Sequence, residues 1–199
     1  ILRQTPPPQY QPIRLQATGK SELKNFTKLE ILNQPVFFHG DAFFAGFYLN
    51  EIVLRLCPLE EAMPQTFEQY QLTLLQLQQL ASHKQASLFL RQILRQFEHV
   101  LLQELGYAID FSVDANQQEI SPFQHYQFQL NDGFLPVSRA SRSTLEGALI
   151  TSMQSYEDGQ DFSHEQLQLL GKLYRQMISS LLGDRPLKSR QLWIQSTQT

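Results

Sequence analysis

The sequence predicts a mainly α-helical bundle with a small extended insert, preceded by a short β-hairpin. Apolar residues recur at helical spacing in four long segments between residues 40 and 183. Residues 1–34 are rich in proline and then alternate between apolar and polar side chains, which is typical of strands. The hydrophobic share of 42% and the charged share of 18% are those of an ordinary globular domain.

The N-terminal segment predicts two strands joined by a turn. Residues 11–16 place Ile13 and Leu15 on one face, and residues 20–31 alternate more loosely after a turn at Gly19. Two strands cannot bury a core by themselves. The chain also starts at Ile1 without an initiator methionine, so we expect further strands upstream. We assign residues 1–34 and 35–199 to two domains.

Three helices are predicted next. Asp41 is a candidate N-cap for the first, which should end before Pro58 because a residue that precedes proline avoids the α region. Apolar stripes predict the second helix over about 66–83 and the third over about 86–105. Gly106 follows at the position of a left-handed C-cap.

The remaining segments alternate or carry capping signals. Residues 107–111 should be extended, and residues 126–135 should form a hairpin turning at residues 131–133, NDG. Capping-box patterns at residues 143–146, STLE, and 163–166, SHEQ, predict a short helix and a final long helix that ends at Gly183. Pro186 should keep the basic segment 185–190 extended.

Charge is unevenly distributed along the chain. Residues 1–28 and 172–190 each carry +4, whereas residues 29–171 carry −11, for a net charge of −3. Basic clusters of this kind can hold phosphates, although solvated surface charge is the alternative explanation. Cys57 is the single cysteine, which excludes an internal disulfide and fits a reducing compartment. No apolar stretch approaches the ~20 residues of a membrane span.

Three motifs resemble the bacterial RecO family of recombination mediators, in the zinc-less form of gammaproteobacteria. Residues 44–51, FAGFYLNE, resemble the helix that opens the family's helical domain. Residues 95–98, RQFE, with LGY at 105–107 resemble a second family segment, and residues 185–190, RPLKSR, resemble a third near the C-terminus. Residues 11–23 resemble the last strands of the family's N-terminal OB-fold, so an incomplete OB-fold is expected here.

The resemblance implies a cytoplasmic, nucleoid-associated protein that does not catalyse a reaction. Such a protein binds single- and double-stranded DNA, anneals complementary strands and works with RecR to load RecA. It also engages the acidic C-terminal tail of the single-stranded-DNA-binding protein. Some relatives hold zinc through four cysteines after LGY. Residues 111–135 contain no cysteine, so we expect no metal and no other cofactor.

Two basic groups are candidate DNA contacts. One lies on the hairpin, where Phe26 could stack on a base or could instead be a core residue. The other lies near the C-terminus, where the cations could contact DNA or RecR, or could instead cap the preceding helix. The candidates are Arg14, Lys20, Lys24 and Lys28 in the first group and Arg185, Lys188 and Arg190 in the second.

The acidic tail ends in a phenylalanine carboxylate, so its receptor should combine an apolar pocket with an arginine. Arg95 matches the family arginine proposed for that role, and Arg91, one turn earlier, could assist. A surface ion pair between Arg95 and Glu98 is the alternative. Tyr48, Asn50 and Glu51 are expected to be structural.

Two other functions remain open. The chain could be a helical adaptor that binds an acidic peptide but not DNA. It could also be an enzyme, although the sequence shows no nucleophile–base pair. Cys57, beside Pro58 at a helix end, is expected to be a packed thiol.

Overall fold

The structure is a computed structural model that describes residues 6–20, 24–156, 160–183 and 185–196. Arg3 and Asp184, which are counted in the charges of residues 1–28 and 172–190, lie outside these residues. Leu23, in the predicted strand over residues 20–31, also lies outside them. The prediction of a mainly helical fold with a small extended insert is confirmed. The elements in chain order are β1 Ile13–Thr18, β2 Asn25–Ile31, α1 Asp41–Leu56, α2 Pro64–Gln79, α3 Ala86–Glu104, β3 His125–Gln129, β4 Gly133–Val137, β5 Leu145–Glu146, α4 Gly147–Thr151, α5 His164–Leu182 and α6 Lys188–Ser196.

Strands β1 and β2 form the predicted antiparallel hairpin. Leu15 pairs with Leu29, and the register shifts between Gln16 and Ala17. Apolar side chains of the hairpin are solvent-exposed, with Leu15 at 44%, Phe26 at 58% and Ile31 at 59% exposure. A two-stranded sheet with uncovered apolar side chains fits the expected final strands of an OB-fold.

Tyr10 joins the hairpin to the helices. Its ring packs edge-on against Phe38, with 4.9 Å between ring centroids. Its hydroxyl lies directly over Gly46 of α1, where an added Cβ would come within 2.7 Å of the Tyr10 oxygen. Burial raises the pKa of Tyr10 to about 12. Gly46 is therefore required because the N-terminal segment approaches the α1 backbone at this point.

The helix boundaries differ from the predictions in small ways. Asp41 is the first residue of α1 and Gly40 occupies the N-cap position, so the predicted N-cap was wrong by one residue. Helix α2 begins earlier than predicted because Pro64 occupies the first turn, where its missing N–H costs nothing. Helix α2 ends at Gln79, and a 3₁₀ turn at Leu80–Ser82 completes the predicted segment.

The core lies between α1, α3 and α5. Its fully buried members include Leu49 and Ile52 of α1, Phe97 and Leu101 of α3, and Leu170 of α5. The buried residues of α3 and α5 belong to the apolar stripes that predicted these helices. In α1 the buried face is centred on Leu49 and Ile52. Burial of each such side chain contributes about 1.5–3 kcal/mol to folding, so the three helices form a rigid support for the residues between them.

The insert is a three-stranded antiparallel sheet in the order β4-β3-β5. The predicted hairpin is present, with Phe128 opposite Phe134. Residues 107–111 were predicted to be extended, but they form no strand. The capping box predicted at Ser143 was also wrong. Ser143 belongs to a turn with Ser141, and α4 begins only at Gly147, where a Cβ would lie 1.9 Å from the Ser121 carbonyl oxygen.

The last two helices complete the bundle. The predicted capping box of α5 is confirmed: the Gln166 N–H donates to Ser163 Oγ, and the Ser163 N–H donates to Gln166 Oε1. Gly183 ends this helix at φ 63°. The basic segment 185–190 was predicted to be extended, but it becomes helical at Lys188, where α6 begins. In the described part of the chain, no helix is both long and apolar enough to cross a membrane.

Candidate functional site

A cavity of about 210 Å³ lies where α1, α3, α5 and α6 meet. Polar and apolar side chains contribute to its wall in roughly equal number. It is lined by Tyr48, Leu94, Arg95, Glu98, Arg175, Ile178, Ser179, Leu187, Arg190 and Trp193.

The cavity brings together three sequence motifs that are far apart in the chain. Tyr48 comes from residues 44–51, Arg95 and Glu98 come from residues 95–98, and Leu187 and Arg190 come from residues 185–190. Helices α1 and α3 both pack against α5, and α6 packs along α1. The core therefore assembles one site from three segments that lie between residues 44 and 190 of the chain.

Glu98 is the centre of the polar wall. It is only 1% exposed, and its Oε1 accepts hydrogen bonds from the Tyr48 hydroxyl and from Arg95 Nη2, both at 2.5 Å. Its Oε2 is buried and has no hydrogen-bond partner among the described residues. Burial raises the pKa of Glu98 above its ordinary value, although the positive charge of Arg95 acts in the opposite direction. Burial also raises the pKa of Tyr48, and the charge of Glu98 adds to that effect.

Positive charge exceeds negative charge in the cavity. Arg95 is paired with Glu98, but within the described residues neither Arg175 nor Arg190 forms an ion pair with a carboxylate. Burial lowers the pKa of Arg175, and the neighbouring charges of Arg190 and Arg95 lower it further. Like charges held this close favour any anion that enters between them.

Another part of the wall is apolar. Leu94, Ile178 and Leu187 line it together with Trp193, the single tryptophan of the chain. The Trp193 indole stacks on Phe44 with 6.0 Å between ring centroids and 13° between planes. Its Nε1 donates to Asp41 Oδ1 at 3.2 Å. The cavity can therefore hold an apolar group against one wall and an anionic group against the arginines.

Helix α6 carries part of this wall and is fixed to α1 by polar contacts. Glu51 Oε1 accepts the Lys188 N–H at 2.9 Å, and Glu51 Oε2 accepts the N–H and hydroxyl of Ser189 at 2.8 and 2.7 Å. Arg55 donates to the carbonyl oxygens of Arg185 and Pro186 at 2.5 and 3.3 Å. The expectation that Glu51 is structural agrees with these contacts.

The family model described as "Recombination protein O C terminal" matches residues 38–191. The chain belongs to the RecO family. It is 35% identical to the DNA repair protein RecO of Pseudoalteromonas translucida over 188 residues, which cover 94% of this chain and 76% of the relative. Identity to the DNA repair protein RecO of Pseudomonas putida strain W619 is 35% over 183 residues, 92% of this chain and 76% of the relative. Membership of the RecO family gives this chain a role in DNA repair and recombination.

Of the residues predicted for tail binding, the structure places one in the cavity. Arg95 lines it and also pairs with Glu98, the partner named in the alternative explanation, but this carboxylate is buried, so the pair is not a surface ion pair. Arg91 does not line the cavity. Its side chain is exposed, and its Nε donates to the Ser87 carbonyl oxygen within α3.

The basic residues predicted on the hairpin differ in whether a carboxylate pairs with them. Arg14 lies 3.5 Å from Glu30 across the strands, and Lys24 Nζ lies 2.5 Å from Glu60. Lys20 and Lys28 are exposed. Only these last two have no carboxylate partner among the described residues.

The C-terminal basic residues differ in their relation to the cavity. Arg190 is exposed and lines the cavity with Arg95, whereas Arg185 and Lys188 are exposed and do not line it. The latter two use their main-chain atoms to fix α6. Sequence reasoning missed Arg175 and Trp193, since helical spacing alone does not show which faces of α5 and α6 meet. In the described residues, no group of three or more potential metal ligands comes together.

Proposed function

We propose that this chain is a non-catalytic recombination mediator of the RecO family. It would bind single- and double-stranded DNA, anneal complementary strands and cooperate with RecR to load RecA. It would be recruited through the acidic C-terminal tail of the single-stranded-DNA-binding protein. It would act in the cytoplasm, at the nucleoid.

The observation that carries this proposal is the cavity in which three family motifs meet. A tail that ends in a phenylalanine carboxylate offers an apolar ring and negative charges side by side. The cavity offers Leu94, Ile178 and Trp193 for the ring and Arg95, Arg175 and Arg190 for the anions. Charge-assisted hydrogen bonds from arginine to carboxylate are among the strongest polar contacts in proteins.

The hairpin supports the DNA-binding part of the proposal. Lys20 and Lys28 are exposed, and Phe26 is accessible for stacking on a base rather than buried in a core. OB-folds commonly bind single strands on such a sheet face and its loops.

A catalytic role has less support. Burial raises the pKa of the Cys57 thiol, and the charge of Glu104 raises it further. Because the thiolate is the nucleophile, a raised pKa makes Cys57 a poor one.

The second candidate function is an adaptor that binds the acidic tail but not DNA. It is favoured by the pairing of Arg14 with Glu30 and of Lys24 with Glu60, which neutralises two of the four hairpin cations. The net charge of −3 points the same way.

Fluorescence anisotropy of this chain with labelled acidic peptide and labelled oligo(dT), at low and moderate salt, separates these functions. The mediator binds both, and its DNA affinity falls steeply with salt because counterions are released from several phosphates. Binding of the peptide alone identifies the adaptor. Binding of neither ligand contradicts both proposals.

A further inference from the structure

The carboxylate of Glu51, on the neighbouring helix α1, fixes the beginning of α6. It accepts the main-chain N–H groups of Lys188 and Ser189, the first two residues of the helix, as well as the Ser189 hydroxyl. The N-terminal N–H groups of a helix have no partner within it, and a carboxylate there also complements the helix dipole. Partial burial acts to raise the pKa of Glu51, but the hydrogen bonds from Ser189, Lys188 and Arg55 outweigh burial and lower it.

Helix α6 and the residue before it contribute side chains spaced three apart to the cavity. Leu187, which precedes the helix, and Arg190 and Trp193 within it all line the cavity, so each depends on where the first turn of α6 is held. Arg55 supports the same turn, because it bonds Glu51 and the carbonyl oxygens of Arg185 and Pro186. Helix α6 has only nine residues, and a helix of that length is marginal without tertiary contacts.

We propose that Glu51 is a positioning residue for the cavity: by capping α6 it holds Arg190 and Trp193 in the cavity with Arg95, and so determines affinity for the acidic ligand without touching it. This inference rests on the proposed tail binding. It also means that ligand binding and α6 docking are coupled, since a ligand that contacts both α3 and α6 stabilises the docked helix.

The chain contains a matched control for Glu51. Glu104, at the end of α3, also accepts the first N–H groups of another helix, from Gln65 and Thr66 of α2 at 3.1 and 2.6 Å. The two carboxylates therefore perform the same capping chemistry. Helix α2 contributes no residue to the wall of the cavity that contains Arg95, Arg175 and Arg190.

The test compares Glu51→Ala, Glu51→Gln and Glu104→Ala with the wild type. The probe is a synthetic peptide of consecutive aspartates that ends in phenylalanine with a free carboxylate. Its affinity is measured by anisotropy, and Trp193 emission reports α6 docking. We expect Glu51→Ala to lose about tenfold in affinity and to red-shift Trp193 emission, because charge-assisted bonds at the cap are removed. Glu51→Gln keeps an acceptor, so its affinity and its Trp193 emission should lie between those of Glu51→Ala and the wild type.

Glu104→Ala should bind the peptide within about twofold of the wild type, whatever its loss in thermal stability. Saturating peptide should restore Trp193 emission in Glu51→Ala, which a purely structural role would not produce. Unchanged affinity and unchanged emission in Glu51→Ala would overturn the inference, as would an equal loss of affinity in Glu104→Ala. If the wild type fails to bind the peptide, tail binding is wrong, and emission alone decides whether Glu51 positions α6.

Discussion

Arg95 and Glu98 form an ion pair at 2.5 Å in which the carboxylate is almost fully buried and the guanidinium faces a cavity. The pair orients Arg95 and leaves its other N–H groups available. Arg95 is thus both a structural partner and the candidate ligand contact.

Reversing the charge of Arg95 should abolish most tail binding. We expect Arg95→Glu to lower the affinity for the acidic peptide by more than about tenfold, because a charge-assisted contact is replaced by repulsion. Arg91→Glu is the matched control on the same helix and should change affinity by less than about twofold, since Arg91 is exposed and outside the cavity. Anisotropy titrations measure both. Equal binding by Arg95→Glu and the wild type would show that the ligand lies elsewhere.

Glu98 and Glu104 should give opposite slopes of stability against pH. The raised pKa of Glu98 means that the folded protein holds this proton more tightly, so the free energy of unfolding falls as pH rises above about 4.3. Slight burial acts to raise the pKa of Glu104, but hydrogen bonds from Thr66 and Gln65 outweigh it. The stability that Glu104 contributes is therefore present above that pH and is lost as pH falls below it.

Urea unfolding followed by Trp193 fluorescence tests these slopes. Glu98→Gln should reduce the decline in the free energy of unfolding as pH rises above about 4.3. Glu104→Gln should reduce the loss of the free energy of unfolding as pH falls below about 4.3. A Glu98→Gln variant that keeps the wild-type slope between about pH 4.5 and pH 7 would contradict this assignment.

Two helical glycines should respond to alanine with opposite signs. Gly46→Ala places a Cβ within 2.7 Å of the Tyr10 oxygen and should destabilise the protein and increase hydrogen exchange around residues 36–46. At Gly171 the nearest atom to an added Cβ is Arg95 Nη1 at 3.7 Å, an ordinary contact. Gly171→Ala should therefore stabilise the protein by up to about 1 kcal/mol through helix propensity. In thermal unfolding, a stabilised Gly46→Ala variant would show that Tyr10 does not pack on Gly46, and a destabilised Gly171→Ala variant would contradict the open space beside Gly171.

Among the glutamines of α3, Gln92 should cause the largest loss of stability when it is replaced by alanine. Its amide donates to the Phe162 carbonyl oxygen at 2.5 Å and accepts the Phe162 N–H at 2.9 Å, and both groups are buried. Gln92→Ala leaves them unpaired and should cost about 2 kcal/mol or more. Gln96→Ala removes one exposed bond to Gln160 and should cost less than about 0.5 kcal/mol. Urea denaturation compares the two, and a loss of similar size in both variants would be inconsistent with the buried pairing.

The long helices were predictable because their stripes and the Ser163 capping box are local signals. Helix α6 was not, because the acceptor for its first N–H groups is Glu51, 137 residues from Lys188. The failure at Ser143 has a similar cause. Its pattern is a correct local signal, but close packing of Gly147 on the Ser121 carbonyl determines where α4 begins.

The candidate site was predictable in part. The family motifs named Arg95, which lines the cavity. Arg190 was predicted to contact DNA together with Arg185 and Lys188, and that stays a prediction. The sequence did not show that Arg190 lines the cavity, because its place there depends on α6, which begins only at Lys188. Arg175 could not be identified, because its role depends on how α5 faces α3.

The unneutralised charge of Arg175 and Arg190 also has a kinetic consequence. Electrostatic attraction acts before contact and is screened over about 8 Å at physiological salt, so it should raise the association rate of an acidic ligand. The apolar wall acts only after contact and should determine how long the ligand stays. Added salt should therefore slow the arrival of the tail far more than it shortens its residence.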